Sequence, residues 1–204
     1  LKRLKATIAK PTLQAGRPEE SVRLIAVSKT FPADDIATAY QAGQRAFAEN
    51  RVQELEAKAP ALPGDIQWHL IGHLQSNKAA KAVELASCIH SVDSGSLIAR
   101  LDRIAGELGR TPEILLEVNV SGEDSKFGVR ETDSAMRLAE AASKAASLRF
   151  KGLMTMAPFD ADERTLREVF SGLRLLRDRM QDSLRIALPE LSMGMSGDFE
   201  EAIK

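Results

Sequence analysis

The residues best placed to do chemistry in this chain stand at the ends of short apolar runs. The first run closes with Val27-Ser28-Lys29-Thr30, and alternation sets Lys29 on the same side as Ile25 and Val27. If that side is interior, an inward lysine is costly unless it is used or paired. A free lysine has a pKa of about 10.4, so roughly one molecule in 10³ offers a neutral amine at neutral pH. Desolvation lowers that value and yields a nucleophile suited to imine formation with an aldehyde. The plainer reading is a solvated lysine at a strand edge. Taken alone, that reading is the stronger.

Asn50, closing Phe47-Ala48-Glu49-Asn50, is either a ligand contact or a turn and capping residue. His69 and His73 are four apart in Trp68-His69-Leu70-Ile71-Gly72-His73, a metal-binding spacing only on a helix. Here the first falls in a strand and the second in the following loop. No metal site is expected, and the pair would brace the strand end by hydrogen bonds. The polar tail Asn119 to Gly128 reads as either a functional or a plain surface loop. Met154 and Met156, two apart, read as core filling.

Near the end stands Leu191-Ser192-Met193-Gly194-Met195-Ser196-Gly197-Asp198-Phe199, leading into helical Glu200 to Ile203. Small residues directly before a helix suit phosphate binding, because backbone N–H groups can approach the anion. The same stretch fails as a G-x-S-x-G nucleophile elbow, since Asp198 replaces the last glycine and no acid–histidine pair is evident.

These positions need elements to hold them. Runs rich in β-formers are Leu24 to Val27, Arg45 to Ala48, Ile66 to Ile71, Cys88 to Val92, Ile114 to Val120, Phe150 to Met156 and Leu191 to Met195. Helical periodicity marks Ala33 to Ala42, Gln75 to Leu85, Ser96 to Leu108, Thr132 to Ala146 and Arg164 to Leu184, after an N-terminal helix within residues 1–16. Alternating strands and helices mean parallel strands with helical crossovers. Several strands are apolar on both faces, as in a sheet covered on both sides. A doubly wound open sheet and a TIM-type (β/α)8 barrel both begin this way. In either, function gathers at the C-terminal ends of the strands. With no linker or low-complexity stretch, a single domain over 1–204 is expected, its barrel occupying 22–204.

Composition narrows the function classes. Lys and Arg total 28 and Asp and Glu 29, so the basic excess of a nucleic-acid binder is missing. No apolar run approaches the ~18 residues of a membrane span, and no signal peptide is evident. A cytoplasmic protein is expected. The lone Cys88 excludes an intrachain disulfide and reads as a small buried side chain. The charge run Arg174 to Arg179 reads as a solvated helix face.

The order of these segments carries more than any one of them. Val27-Ser28-Lys29-Thr30, Glu49-Asn50, His69 to Lys78, Val118 to Glu123, Gly152 to Met156 and Leu191 to Ser196 together resemble the pyridoxal phosphate homeostasis proteins, over about Leu24 to the C-terminus. The resemblance implies an alanine-racemase-like barrel of fold type III holding pyridoxal 5′-phosphate (PLP). Lys29 would be the Schiff-base lysine, Asn50 would lie beside the pyridine ring, and Ser196 with neighbouring amides would hold the phosphate. Met193 and Gly197 complete the implied cofactor contacts, with no catalytic residue. The family's eighth strand, of the type Val-Arg-Ile-Gly-Thr, is not in the 204 residues and is expected beyond them. The implied function is non-enzymatic PLP and amino-acid homeostasis by a monomer, with PLP-dependent apo-enzymes as recipients. The alternative is a PLP-dependent racemase or decarboxylase. Such racemases use an opposite-face tyrosine, whereas the single Tyr40 falls on a predicted helix.

Overall fold

The computed structural model describes residues 1–123 and 127–204. Its strands are β1 (Ala26–Val27), β2 (Ala46–Glu49), β3 (Gln67–Leu70), β4 (Cys88–Val92), β5 (Glu113–Glu117), β6 (Arg149–Met154) and β7 (Glu190–Ser192). All pair in parallel and in chain order, β1 to β7. The helices are α1 (Lys2–Gln14), α2 (Ala33–Gln41), α3 (Val52–Lys58), α4 (Ala79–Leu85), α5 (Gly95–Glu107), α6 (Thr132–Ser143), α7 (Glu163–Leu184) and α8 (Phe199–Ile203).

Chain order in a parallel sheet curls it into the wall of a barrel, with helices outside. The strands sort their side chains accordingly. Phe47, Trp68, Leu70, Ile89, Ile114 and Leu116 face outward and join the helix-covered core. Cys88, Leu115 and Met154 face inward and form a separate small cluster. Helix periodicity meets the outer face: α5 buries Leu97, Ile98, Leu101, Ile104 and Ala105 along one stripe. Side-chain caps fix two helix starts, Ser94 accepting from the Leu97 N–H and Asp162 from the Thr165 N–H.

Several expected boundaries move. The helix expected at 75–85 is a 3-10 turn, Ser76–Lys78, followed by the shorter α4. Strand β5 stops at Glu117; Val118 still donates to the Met154 carbonyl at 2.8 Å and makes an isolated bridge with Val129. Strand β7 stops at Ser192, before Gly194 turns the chain with φ +87°. Helix α3 was not expected at all. Within the charge run, Arg177 is half-buried and donates to the Leu188 carbonyl at 3.3 Å. Asp124, Ser125 and Lys126, in the loop after β5, lie outside the described residues.

Among the described residues, strands β1 and β7 do not pair with each other and each has one neighbour. An ion pair, Arg23 Nη2 to Glu190 Oε2 at 3.3 Å, reaches between the chain entering β1 and the start of β7. In a parallel pair, alternate N–H groups point to opposite neighbours. Ser28 donates to the Ala48 carbonyl at 2.9 Å, so the Val27 N–H must point away from β2. Native-state hydrogen exchange should show the Val27 amide exchanging far faster than that of Ser28. Equal protection of the two would mean that β1 has a second neighbour.

Candidate functional site

At the end of β1, Ser28 is buried and Lys29 is exposed. Lys29 shares the inward parity of Val27 and has no hydrogen bond or ion pair among the described residues. Its neighbours are tightly held. The Phe31 N–H closes a turn on the Ser28 carbonyl at 3.1 Å. Within that turn Thr30 adopts φ +68°, uncommon for a β-branched residue. The Thr30 N–H donates to Glu54 Oε2 at 2.9 Å. Lys58 Nζ donates to the Ser28 carbonyl at 2.9 Å, to Glu49 Oε1 at 2.8 Å and to Glu54 Oε2 at 2.9 Å. Ser28 Oγ donates to Glu49 Oε1 at 2.7 Å.

Glu49 is opposite Leu70 in the β2–β3 register and faces outward, beneath α3, with no exposed surface. Burial works to lower the Lys58 pKa, but its hydrogen bonds to Glu49 and Glu54 outweigh this and raise it. The Glu54 carboxyl is lowered, first by the Thr30 N–H and then by Lys58.

Asn50 follows β2, half-buried, and its side chain makes no hydrogen bond among the described residues. Its backbone position depends on Gly72. A Cβ there would stand 2.2 Å from the Asn50 carbonyl oxygen. Gly72 is itself fixed, its carbonyl accepting from Ser91 Oγ at 2.7 Å. Gly72→Ala should therefore cost about 1–3 kcal/mol in chemical denaturation, the range for overpacking. A variant as stable as the parent would show that the Asn50 backbone gives way freely.

The two motif histidines part company. His73 lies 3.7 Å from Asp93 and stacks on Phe127 with centroids 4.4 Å apart. His69 points into the barrel interior, where Nδ1 meets His90 Nε2 at 2.8 Å, and His90 Nδ1 meets Ser192 Oγ at 2.8 Å. This chain ties β3 and β4 to β7. Cys88 lies beside it, and His69, Cys88 and His90 offer ligand atoms within 4.8 Å of one another. Two nitrogens on one zinc ion at ~2.1 Å would stand about 3.4 Å apart. The 2.8 Å separation is that of a hydrogen bond. Burial also pushes the Cys88 thiol far above its ordinary value.

Burial lowers His69 to about 4 and His90 to about 3, so both rings are neutral at physiological pH. Glu117, inward at the end of β5, is raised to about 7 by burial and then by Asp93. The signs are opposite. Below the ordinary histidine value of 6.5, unfolding takes up protons at His69 and His90, so stability falls with falling pH. Between 4.5 and about 7 the folded protein keeps a Glu117 proton that the unfolded chain releases, so stability falls with rising pH. Each group contributes a slope of about 1.4 kcal/mol per pH unit. Glu117→Gln should thus steepen the loss of stability between pH 6.5 and 4.5 by one proton's worth, measured by urea denaturation. Parallel pH profiles for the two proteins would show that Glu117 ionises normally.

After β7, Met193 is half-buried against the core, while Ser196 and Gly197 are exposed in a turn before α8. The turn is closed by Asp198 and Phe199 donating to the Met195 carbonyl at 3.1 and 2.9 Å. Asp198 Oδ1 accepts from the Met195 N–H. The Ser196 and Gly197 N–H groups donate to no described residue, and a Cβ on Gly197 would meet nothing within 4 Å. Gly194 is packed, since a Cβ there would lie 2.9 Å from the Ala202 methyl. Helix α8 has five residues, so the turn's own amides supply most of any anion affinity.

Of the two methionines after Gly152, Met154 fills the inner cluster as expected, but Met156 lies past the strand end and is exposed. Sequence reasoning missed His90, Glu117, Glu54 and Lys58. The inward parity of Cys88 and His90 was the available signal for His90.

The class of protein follows from comparison of this architecture. The family model for the alanine racemase N-terminal domain matches residues 2–203. Alanine racemase from Clostridium difficile, 15% identical, shares the fold with a TM-score of 0.74 over 98% of this chain and 51% of that one. Much nearer is the pyridoxal phosphate homeostasis protein of Aquifex aeolicus, 39% identical over 205 residues, covering 100% of this chain and 90% of the relative. Its Synechocystis counterpart is 43% identical, covering 90% and 84%. The structure of PipY from Synechococcus elongatus with PLP bound is 44% identical, with a TM-score of 0.84 over 96% of this chain and 92% of that one. The chain belongs to the pyridoxal phosphate homeostasis protein family.

Proposed function

We propose that this chain is a single barrel domain that binds PLP at the C-terminal ends of its strands, as a Schiff base on Lys29. The observation that carries the reading is Lys29 itself: inward in parity, without a partner, and flanked by residues that are fixed. The PLP-bound relative supports it. The residues present fit the group. Lys29 Nζ, when neutral, can form a C=N bond to the aldehyde carbon, the aldehyde oxygen leaving as water. The open Ser196 and Gly197 N–H groups suit a phosphate. Asn50 has unspent hydrogen-bonding capacity toward a ring, and Met193 lies at the base of the phosphate turn.

We infer further that the protein stores and delivers PLP, in vitamin B6 and amino-acid homeostasis, rather than turning over a substrate. In this reading it acts as a cytoplasmic monomer, with PLP-dependent apo-enzymes as recipients. No described helix is long and apolar enough to cross a membrane. Tyr40 supports the non-enzymatic reading, because its hydroxyl donates to Asp65 at 2.6 Å on the outer side of the barrel. Glu117 favours the alternative, being a buried inward acid that titrates near neutrality.

Borohydride reduction of the PLP complex should leave a pyridoxyl group on the Lys29 peptide, and Lys29→Ala should leave none. Stoichiometric label on another lysine in that variant would remove the reading. Incubated with PLP and L-alanine in deuterated water, the protein should leave the α-proton in place. Rapid exchange with inversion, lost in Glu117→Gln, would establish the racemase alternative instead.

A further inference from the structure

Lys29 is held in place from outside the barrel, by groups that never enter the mouth. The turn Ser28–Phe31 has Thr30 at its third position with φ +68°. Type II turns demand such a φ and place glycine or asparagine there. A threonine in this state is strained, and strain of this kind persists only where surrounding structure imposes it. Relief would flip the Lys29–Thr30 peptide, carry the Lys29 carbonyl to the other face of the turn and free the side chain from its station.

Two bonds oppose that flip. Glu54 Oε2 accepts the Thr30 N–H at 2.9 Å, on the far side of Lys29. Lys58 Nζ grips the Ser28 carbonyl at 2.9 Å, on the near side. The same ammonium binds Glu54 Oε2 at 2.9 Å and so aims that carboxylate at Thr30. Its third proton goes to Glu49 Oε1 at 2.8 Å. An ammonium has three donors, and all three are used. Lys58 is therefore both the anchor and an amine disabled as a rival nucleophile. Helix α3 supplies Glu54 and Lys58 one turn apart, on the side that meets the β1 end.

We infer that Glu54 and Lys58 are positioning residues for Lys29, holding its turn in a strained conformation that presents the amine to PLP. The inference rests on the reading of Lys29 as the PLP-binding lysine. Lys58 is a poor test on its own, because its removal strands the buried Glu49 carboxylate and threatens folding. Glu54 is 28% exposed at its side chain and tolerates truncation better.

The test is a cycle of Glu54→Ala and Thr30→Gly, reading the rate at which Lys29 becomes reducible onto PLP and the exchange of the residue-30 amide in PLP-free protein. Glu54→Ala should slow Lys29 labelling about tenfold and deprotect the Thr30 amide, as release of one strained residue implies. In the Thr30→Gly background, where no strain remains, the same change should slow labelling by less than about twofold. Equal slowing in both backgrounds, or a wild-type labelling rate in Glu54→Ala despite lowered thermal stability, would overturn the inference. No label on wild-type Lys29 would sink the PLP reading and this inference with it. A Thr30 amide still deprotected by Glu54→Ala would then show that the turn is held as described but serves something else.

Discussion

A parallel strand shows its side chains alternately to two faces, and in a curled sheet those faces have different fates. The outer face is pressed against helices and filled by Phe47, Trp68, Ile89, Ile114 and Leu116. The inner face narrows onto Cys88, Leu115 and Met154. A polar side chain inside such a wall must find a partner or stand at a strand end, where water and ligand can reach it. Lys29 stands at a strand end. His69 and His90, lying deeper, find each other.

The sheet thus carries buried polar groups on both faces, and they are solved differently. Inside, His69, His90 and Ser192 stay neutral and share protons along a line of hydrogen bonds. Outside, Glu49 is ionic and depends on Lys58. A neutral line costs less desolvation than an ion, though the buried His69 Nε2 has no partner among the described residues, and it joins β3 and β4 to β7, the strand that leads into the Ser196–Gly197 turn. A buried ion pair is expensive, and one carboxylate oxygen of Glu49 has no partner. Such an arrangement adds little stability compared with apolar packing. Its value is directional: it fixes the Ser28 carbonyl and, through Glu54, the Thr30 N–H.

Much of this was legible in the sequence, and the reasons for the rest are local. The seven strands stood out because their apolar runs are short and separated by helical periodicity, and Cys88–Val92 was bounded to the residue. Alternation alone set Lys29 on the inner side. Helix α3 escaped because it has seven residues, two of them buried, and its N-cap, Arg51, makes no side-chain cap. That is too short for a period to show. Missing α3 meant missing the Glu54–Lys58 pair. His90 escaped because no motif marks it, and its parity with Cys88 was the one signal that set it on the inner face. Glu49 sits beside Asn50 in the sequence and invites the same reading, but one step along a strand changes the face, and the two have opposite environments.

The distribution of acids around the mouth bears on what the site can do. Lys29 and the Ser196–Gly197 turn belong to β1 and β7, the two ends of the sheet, so a ligand held by both lies along that seam. Asp93 and Glu117 belong to β4 and β5, across the curl, with His73 beside Asp93. Tyr40 lies on the outer side of the barrel, where its hydrogen bond to Asp65 raises its pKa. On the proposed reading, reversible capture needs an amine, an anion cradle and water, and Lys29 with the open Ser196 and Gly197 N–H groups would supply the first two at the seam. Removal of an α-proton and its return to the opposite face needs a second acid or base within hydrogen-bonding reach of the substrate carbon. Glu117, the acid raised to about 7, stands on the far wall. On the proposed reading, Glu117 is the residue that separates the two alternatives: a carrier leaves it remote from the ligand, whereas a racemase needs it within reach of the substrate carbon.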